Sequence, residues 1–473
     1  MSRESSLVKN TAILSLGTFF PKVFAVIITP ILTAQLTKAE YGQYDLITTL
    51  VALLLPAVTL QISSAAFRFL IDRKHDKYEI SRIITNILAF TLVTSLIAVV
   101  LYFLFAGRTL GMNGVWVCLY LVIDIFLVTA QQVVRGLGKN VVYSISAIVQ
   151  SFVNMLVTVV LLSGFGIPNM GLTGVLYAMI ASTLLGLIFL VLKGGLLQYL
   201  NVKTLSGAML RELLAYSWPM VPNNLSGWVL RLSDRLVITG VLGIEANAVY
   251  AAANKLPYLL TMALNSFYLA WQENASIAVQ DQDRSRYYED MFDRIYRIML
   301  GMTGILIACT PILFPLLIRG GYEDAYVQMP TLYLGMFFSG MASVLGGIYI
   351  AFKQTKSVGI TTVIAAALNL AVDLLFVKRI GIWAGSISTM IAYLFLLVYR
   401  MYDIQKVQKI SFKASTLIVG TIILLVMSLL SVQRKVLLDC VNVLCCVALL
   451  AVYDRDVAKT VIAAALRRIK HHS

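Results

Sequence analysis

The chain has 473 residues, of which 59% are hydrophobic and 13% charged, with a mean hydropathy of +0.84. A soluble domain carries about 25% charged residues, so this composition excludes one and describes a polytopic membrane protein. The net charge of +15 raises the question of a nucleic-acid partner, which the placement of the basic residues decides against.

Apolar segments near the roughly 20 residues that cross a bilayer occur fourteen times in chain order, at 10–34, 43–67, 82–106, 114–134, 141–163, 171–193, 216–241, 247–270, 295–318, 329–352, 358–378, 381–401, 413–432 and 436–453. The first is too long for a cleavable leader and lacks a small-residue cleavage site, so it reads as the first helix. Of the 38 Lys and Arg, 27 fall in the terminal segments and alternate loops on one side. These include Arg3, Lys9, Arg73, Arg135, Lys203, Arg284, Lys356, Lys409 and Arg455. The opposite loops hold seven. Cytoplasmic loops carry the excess of Lys and Arg, so both termini are expected in the cytoplasm. A wrong helix count would scramble this alternation.

The chain also resembles itself. At an offset of 206, Tyr44 falls on Tyr250 and Leu53 on Leu259. At 215 Asn154 falls on Asn369, and at 211 "GVLYAMIA" from Gly174 falls on "GSISTMIA" from Gly385. The reading is an all-α fold of two pseudo-symmetric six-helix bundles with parallel repeats, as transporters use to build a central site. The expected bundles are 1–205 and 206–405, followed by two further transmembrane helices at 406–455 and a basic amphipathic tail at 456–473 on the cytoplasmic leaflet.

Four cations lie inside spans: Lys22, Arg231, Arg235 and Lys255. Each costs about 2.5–3.5 kcal/mol near the bilayer centre on insertion scales. Arg231, Asp234 and Arg235 share one helical face, and that face cannot look at lipid. Lys22 maps through the repeat to Trp228, one turn from Arg231. One acid cannot neutralise four cations, so the expectation is a cationic cavity that receives an anion. Asp234 reads either as an ion-pair partner of Arg231 or Arg235 or as a coupling group. Asp124 reads either as a partner for Lys22 or as a proton or cation site. Asp373 reads as a packing residue near Lys378, and Arg68, Arg135 and Arg400 as snorkelling residues at cytoplasmic helix ends.

Other chemistry is missing from the sequence. It has no G-x-x-x-x-G-K-[ST] phosphate loop. Its histidines, His75, His471 and His472, form no metal cluster, and its five cysteines have no metal or disulfide spacing. No cofactor and no enzymatic activity are expected.

Three stretches carry a family resemblance: "KNTAILSLGTFFPKVFAVIITPILTAQLTKAEYGQYDL", "FRFLIDRKHDKYEISRII" and "LSDRLVITGVLGIEANAVYAAANKL". They resemble the polysaccharide repeat-unit flippases of the multidrug/oligosaccharidyl-lipid/polysaccharide (MOP) exporter superfamily, through Tyr41-Gly42, Ser233-Asp234-Arg235 and the run Tyr250 to Lys255. The resemblance implies a twelve-helix core with two extra helices in the bacterial cytoplasmic membrane. It implies transport of undecaprenyl-diphosphate-linked oligosaccharide from the inner to the outer leaflet by alternating access. Arg231 and Arg235, then Lys22 and Lys255, would contact the diphosphate. A proton or sodium gradient or the membrane potential would drive the step, and Tyr258, Tyr268 and Trp271 are candidates for stacking on sugars, with interfacial anchoring the other reading of Trp271. Membrane lipids and other polysaccharide-assembly proteins are the partners such a role implies. The alternatives are a peptidoglycan lipid-precursor flippase, a multidrug or cation antiporter of the same superfamily, and a membrane polymerase or ligase, which would need a large outward loop.

Overall fold

The computed structural model describes residues 3–73, 76–105, 113–164 and 168–453. These form seventeen α-helices with a few 3-10 turns and, among the described residues, no strand. In order they are α1 (Arg3–Gln35), α2 (Lys38–Thr59), α3 (Ile62–Asp72), α4 (Lys77–Phe105), α5 (Asn113–Gly136), α6 (Asn140–Ser163), α7 (Gly171–Gly194), α8 (Gly207–Ser217) and α9 (Met220–Leu242). There follow α10 (Ile244–Ala253), α11 (Tyr258–Ile277), α12 (Arg284–Leu317), α13 (Glu323–Ala351), α14 (Thr355–Ile380), α15 (Trp383–Asp403), α16 (Ala414–Val432) and α17 (Val436–Tyr453).

Twelve of the described helices are long and apolar enough to cross a membrane: α1, α2, α4 to α7 and α12 to α17. The protein is a polytopic all-α membrane protein. The other two of the fourteen expected spans correspond to α9, which carries Arg231, Asp234 and Arg235, and to the pair α10–α11. The eighth expected span is also not one helix. The backbone turns through Asn254 to Pro257, where proline's missing N–H ends the ladder, and Lys255 sits in that break rather than along a continuous helix. The second expected span is divided as well, because Leu60 and Gln61 adopt left-handed φ of 46° and 57° and separate α2 from α3. Pro219 separates α8 from α9.

The chain divides into two compact units, residues 1–228 and 229–473, with the division inside α9. In the N-terminal unit α1 packs on α6, α6 on α7, and α5 on α7. One buried core joins Ile62 and Leu70 of α3, Ile83 and Ile87 of α4, Val133 of α5, Leu190 of α7, and Met209 and Leu213 of α8. Residues 206–217, expected to open the second bundle, thus contribute to this core. The start of α2 is fixed by a capping box, in which Thr37 Oγ1 accepts from Glu40 N–H at 3.2 Å and Glu40 Oε2 accepts from Thr37 N–H at 2.9 Å. The other oxygen, Glu40 Oε1, accepts from Leu172 N–H at 3.1 Å and holds the start of α7 beside it.

In the C-terminal unit α13 is the central helix, packed by α15, α11, α12 and α16, with Tyr333, Phe337, Leu345 and Tyr349 fully buried. The pairings α13–α15 and α14–α15 mirror α5–α7 and α6–α7 of the first unit. Helices α16 and α17 pack on α12 and on each other. The tail at 456–473 lies outside the described residues.

Candidate functional site

The polar interior of the C-terminal unit is built on α9, α10, α14 and α15. Asp234, 1% exposed, points inward from α9. Its Oδ2 accepts from the Tyr250 hydroxyl at 2.5 Å and from Thr389 Oγ1 at 2.7 Å. Asp373 on α14, also 1% exposed, accepts at Oδ1 from Ser388 Oγ at 2.7 Å. Asn369 Nδ2 donates to Ser388 Oγ at 3.1 Å, and Asn369 Oδ1 accepts from Ser233 Oγ at 3.1 Å. Asp234 and Asp373 are electrostatic neighbours in this network. Asp234 Oδ1 and Asp373 Oδ2 are buried with no hydrogen-bond partner among the described residues. Charged carboxyls close together in a buried site repel each other, and a bound proton or cation offsets that repulsion.

Tyr250 reaches Asp234 because α15 offers a glycine there. A Cβ on Gly385 would lie 3.0 Å from Tyr250 Cε2 and 3.0 Å from Ile238 Cδ1. This glycine is the first residue of the repeat stretch "GSISTMIA".

Beside the carboxyls is a cavity of about 380 Å³. Arg235 and Lys255 both line it, together with Tyr258, Asn254 and Tyr393. Tyr250 and Thr389 line it too, so the residues that hold Asp234 form part of the cavity wall. Two cations and the two hydroxyl residues that bond to Asp234 therefore line one cavity within a single unit.

The expected site residues distribute as follows. Arg235 and Lys255 come together in this cavity. The backbone of Arg231 is on α9, one turn before Arg235, and its side chain lies outside the described residues. Among the described residues the hydrogen-bond partners of Asp234 are two hydroxyls, and the expected pairing with Arg231 concerns a side chain outside the described residues. Lys22 is half-buried on α1 of the other unit. No described ion pair joins Asp124 to Lys22; Asp124 stands on α5, one turn from Tyr120.

Three expectations are corrected by the packing. Asp373 is a member of the buried network rather than a packing residue near Lys378, because its helix turns it toward Ser388 and Asp234. Arg400 does not snorkel: it is 4% exposed and donates to Ala342 O at 2.8 Å, Thr362 Oγ1 at 3.1 Å, Thr361 Oγ1 at 3.2 Å and Val358 O at 3.3 Å. Trp271 is neither exposed nor on the cavity wall. It is 1% exposed and donates to Val344 O at 2.8 Å, its ring lying where a Cβ on Gly347 would be.

Ser388 and Thr389 carry no signal in the sequence that marks them as site residues. The repeat alignment touches this cluster at Tyr250, at Asn369 and along the stretch from Gly385 that contains both residues, and the Ser233-Asp234-Arg235 run supplies its acid from α9.

Comparison with known proteins agrees with this architecture. A MurJ lipid II flippase in an inward closed conformation superposes with a TM-score of 0.68 at 12% identity, covering 95% of this chain and 100% of that one. A mutant form of the MATE transporter VcmN of Vibrio cholerae gives 0.58 at 12% identity, covering 85% and 96%. A MOP superfamily transporter of Pyrococcus furiosus, described as having a binding pocket of reversed polarity, gives 0.58 at 13% identity, covering 85% and 96%. At such identities the likeness concerns the fold, which is that of the MOP transporters. No curated protein sequence matches the chain. The family described as "Polysaccharide biosynthesis protein" matches residues 7–271, which is more than half of the chain, and the protein belongs to that family.

Proposed function

We propose that this protein is a flippase that carries undecaprenyl-diphosphate-linked oligosaccharide from the inner to the outer leaflet of the bacterial cytoplasmic membrane, with both termini in the cytoplasm. It works as a transporter, without enzymatic activity or cofactor. The observation that carries the reading is the sharing of one cavity by Arg235 and Lys255. Two cations at membrane depth on one cavity wall suit a diphosphate, which takes charge-assisted hydrogen bonds in a site with little water. Arg231, one turn before Arg235 on α9, is the third cation that the sequence reading assigns to the diphosphate. Lys22 belongs to the other unit and is not assigned to this cavity.

The Asp234–Asp373 pair supplies the coupling. Its polar neighbours among the described residues are oxygen or amide groups, a donor set that suits a proton or a hard monovalent cation such as sodium. Tyr250 and Thr389 bond to Asp234 and also face the cavity, so exchange of that proton or ion alters the wall that the substrate meets. A cationic drug as cargo is disfavoured by the same two cavity cations. A peptidoglycan precursor presents the same lipid diphosphate and differs only in its saccharide.

The test is flipping of a fluorescent undecaprenyl-diphosphate oligosaccharide in proteoliposomes. Arg235→Ala, Lys255→Ala and Arg231→Ala, each with an unchanged melting temperature, are expected to lose transport. Full transport by all three would remove the diphosphate from this cavity and overturn the reading.

A further inference from the structure

The N-terminal unit has a cavity of its own, of about 210 Å³, among α1, α2, α5, α6 and α7. Phe24, Tyr44 and Tyr120 supply its aromatic surface, and Gln150, Asn154 and Thr183 its polar groups. Among the described residues none that lines it is charged. It lies six to twelve residues in from the first residues of α2, α5 and α7, about 9–18 Å deep at 1.5 Å per residue. That is membrane depth, where an uncommitted polar group is expensive. Yet Asn154 Oδ1 is buried with no hydrogen-bond partner, and the amide of Gln150 is met only by Thr183 Oγ1, at 3.3 Å.

The repeat explains why this lining is neutral. Its Tyr44 and Asn154 are the counterparts of Tyr250 and Asn369, which belong to the carboxyl network of the other unit. The same offsets carry Asp234 onto Ile28 and Asp373 onto Thr158. Ile28 lines the neutral cavity, and Thr158 Oγ1 is buried without a partner. Asp124, one turn from Tyr120, is not part of the lining. The two halves therefore share the tyrosine and the asparagine, while at the positions of Asp234 and Asp373 only the C-terminal half carries acids. A lining without acids is poorly equipped to hold a metal ion, but it retains amides, hydroxyls and ring faces.

We infer that this cavity is a subsite for one pyranose ring of the saccharide, rimmed by Tyr44 and Tyr120 and read through Asn154, Gln150 and Thr183. A volume of about 210 Å³ holds about seven waters at 30 Å³ each, which is one ring and its hydroxyls rather than a drug-sized molecule. A sugar offers donors to the orphaned Asn154 Oδ1 and apolar C–H faces to the aromatic rings. A lipophilic cation would find no counter-charge in the lining. The inference rests on the flippase reading above, which it extends by assigning the saccharide and the diphosphate to separate cavities.

The experiment uses the full-length protein in nanodiscs and a panel of methyl hexosides and methyl N-acetylhexosaminides, with binding read by saturation-transfer difference NMR. At least one glycoside is expected to receive saturation through its ring protons, and Asn154→Ala and the near-isosteric Thr183→Val are each expected to reduce that signal at least about fivefold, the loss of one neutral hydrogen bond of roughly 1 kcal/mol. Should Asn154→Ala fail to fold, Thr183→Val decides alone. Saturation that persists unchanged in the folded variants, or no saturation by any glycoside, overturns the subsite, as does displacement of a bound glycoside by tetraphenylphosphonium. Flipping of bare undecaprenyl diphosphate and of its saccharide-linked form is measured in parallel. If the wild type moves neither lipid while glycoside binding remains sensitive to Thr183→Val, the flippase reading fails and the subsite stands. If both lipids are moved and the pocket variants leave their rate ratio unchanged, the subsite fails and the flippase reading stands.

Discussion

Tyr250 donates its phenolic proton to Asp234 Oδ2 at 2.5 Å while its ring lines the cavity that holds Arg235 and Lys255. One side chain thus touches both the buried acid and the space assigned to the substrate. Whatever sits between Asp234 and Asp373 reaches the cavity through Tyr250 and Thr389. Asp234→Asn and Asp373→Asn keep the volume and most of the hydrogen bonds but abolish the paired acids. Each is expected to leave the protein folded and to reduce the gain in flipping rate produced by an imposed sodium or proton gradient by about 5- to 150-fold, the usual span of a coupling free energy. Gradient-driven flipping that survives both substitutions would sever the carboxyl pair from coupling.

Tyr250→Phe separates the ring from the hydroxyl. It leaves the aromatic wall in place and takes one hydrogen bond from a buried, acid-bearing network, a loss of about 1.5–3 kcal/mol. Gly385→Ala acts on the same tyrosine from the other side, since the added Cβ would lie 3.0 Å from its ring and push the hydroxyl away from Asp234. Both variants should show lower melting temperatures and weakened ion dependence of transport. A Gly385→Ala protein with normal ion dependence would show that Tyr250 need not hold its present position.

The sequence displays the helices more fully than the site. Fourteen apolar segments and their charge alternation are local properties, readable from composition alone. The break at Leu60 and Gln61 is not readable, because neither residue is a proline or a glycine and the apolar run continues through it. The break at Asn254 to Pro257 has its signal in Pro257, but a hydropathy average passes over four residues. Asp234, Arg235 and Lys255 stand out as charges among apolar neighbours, and two of them do line one cavity. Asp373 is 139 positions from Asp234, and only the packing of α14 and α15 brings the two carboxyls together. Arg400 differs from expectation for a related reason: its place near a helix end suggests snorkelling, and its burial follows from the neighbours α13 and α14, which sequence position does not specify.

Arg400 ties three helices with four hydrogen bonds, to Ala342 of α13 and to Val358, Thr361 and Thr362 of α14. No acid pairs with it among the described salt bridges. Its charge therefore carries a desolvation cost that no described counter-charge offsets. Arg400→Ala removes the bonds and leaves a cavity, and should cost about 2–5 kcal/mol. Arg400→Met fills much of the space without a charge and should recover at least half of that loss in a thermal melt followed by tryptophan fluorescence. If the Met variant is as unstable as the Ala variant, the guanidinium hydrogen bonds outweigh the desolvation of the charge.

Glu40 offers a matching test in the N-terminal unit. One carboxylate oxygen closes the capping box of α2 on Thr37 and the other accepts from Leu172 N–H at the first turn of α7, so the side chain fastens two helix starts at once. Gly171, which precedes Leu172, has a φ of +54°, and an added Cβ there would collide with Glu40 Oε1. Glu40→Ala should cost about 1–2 kcal/mol, the range of a lost helix cap, and expose the α2 and α7 starts to faster amide exchange. Glu40→Gln preserves one acceptor oxygen and should lose about half as much. Gly171→Ala should exceed both, because it strains the backbone and drives the carboxylate away from its three donors, Thr37 N–H, Thr37 Oγ1 and Leu172 N–H. Amide exchange at Leu172 that is unchanged in Glu40→Ala would mean that α7 begins where it does without this contact.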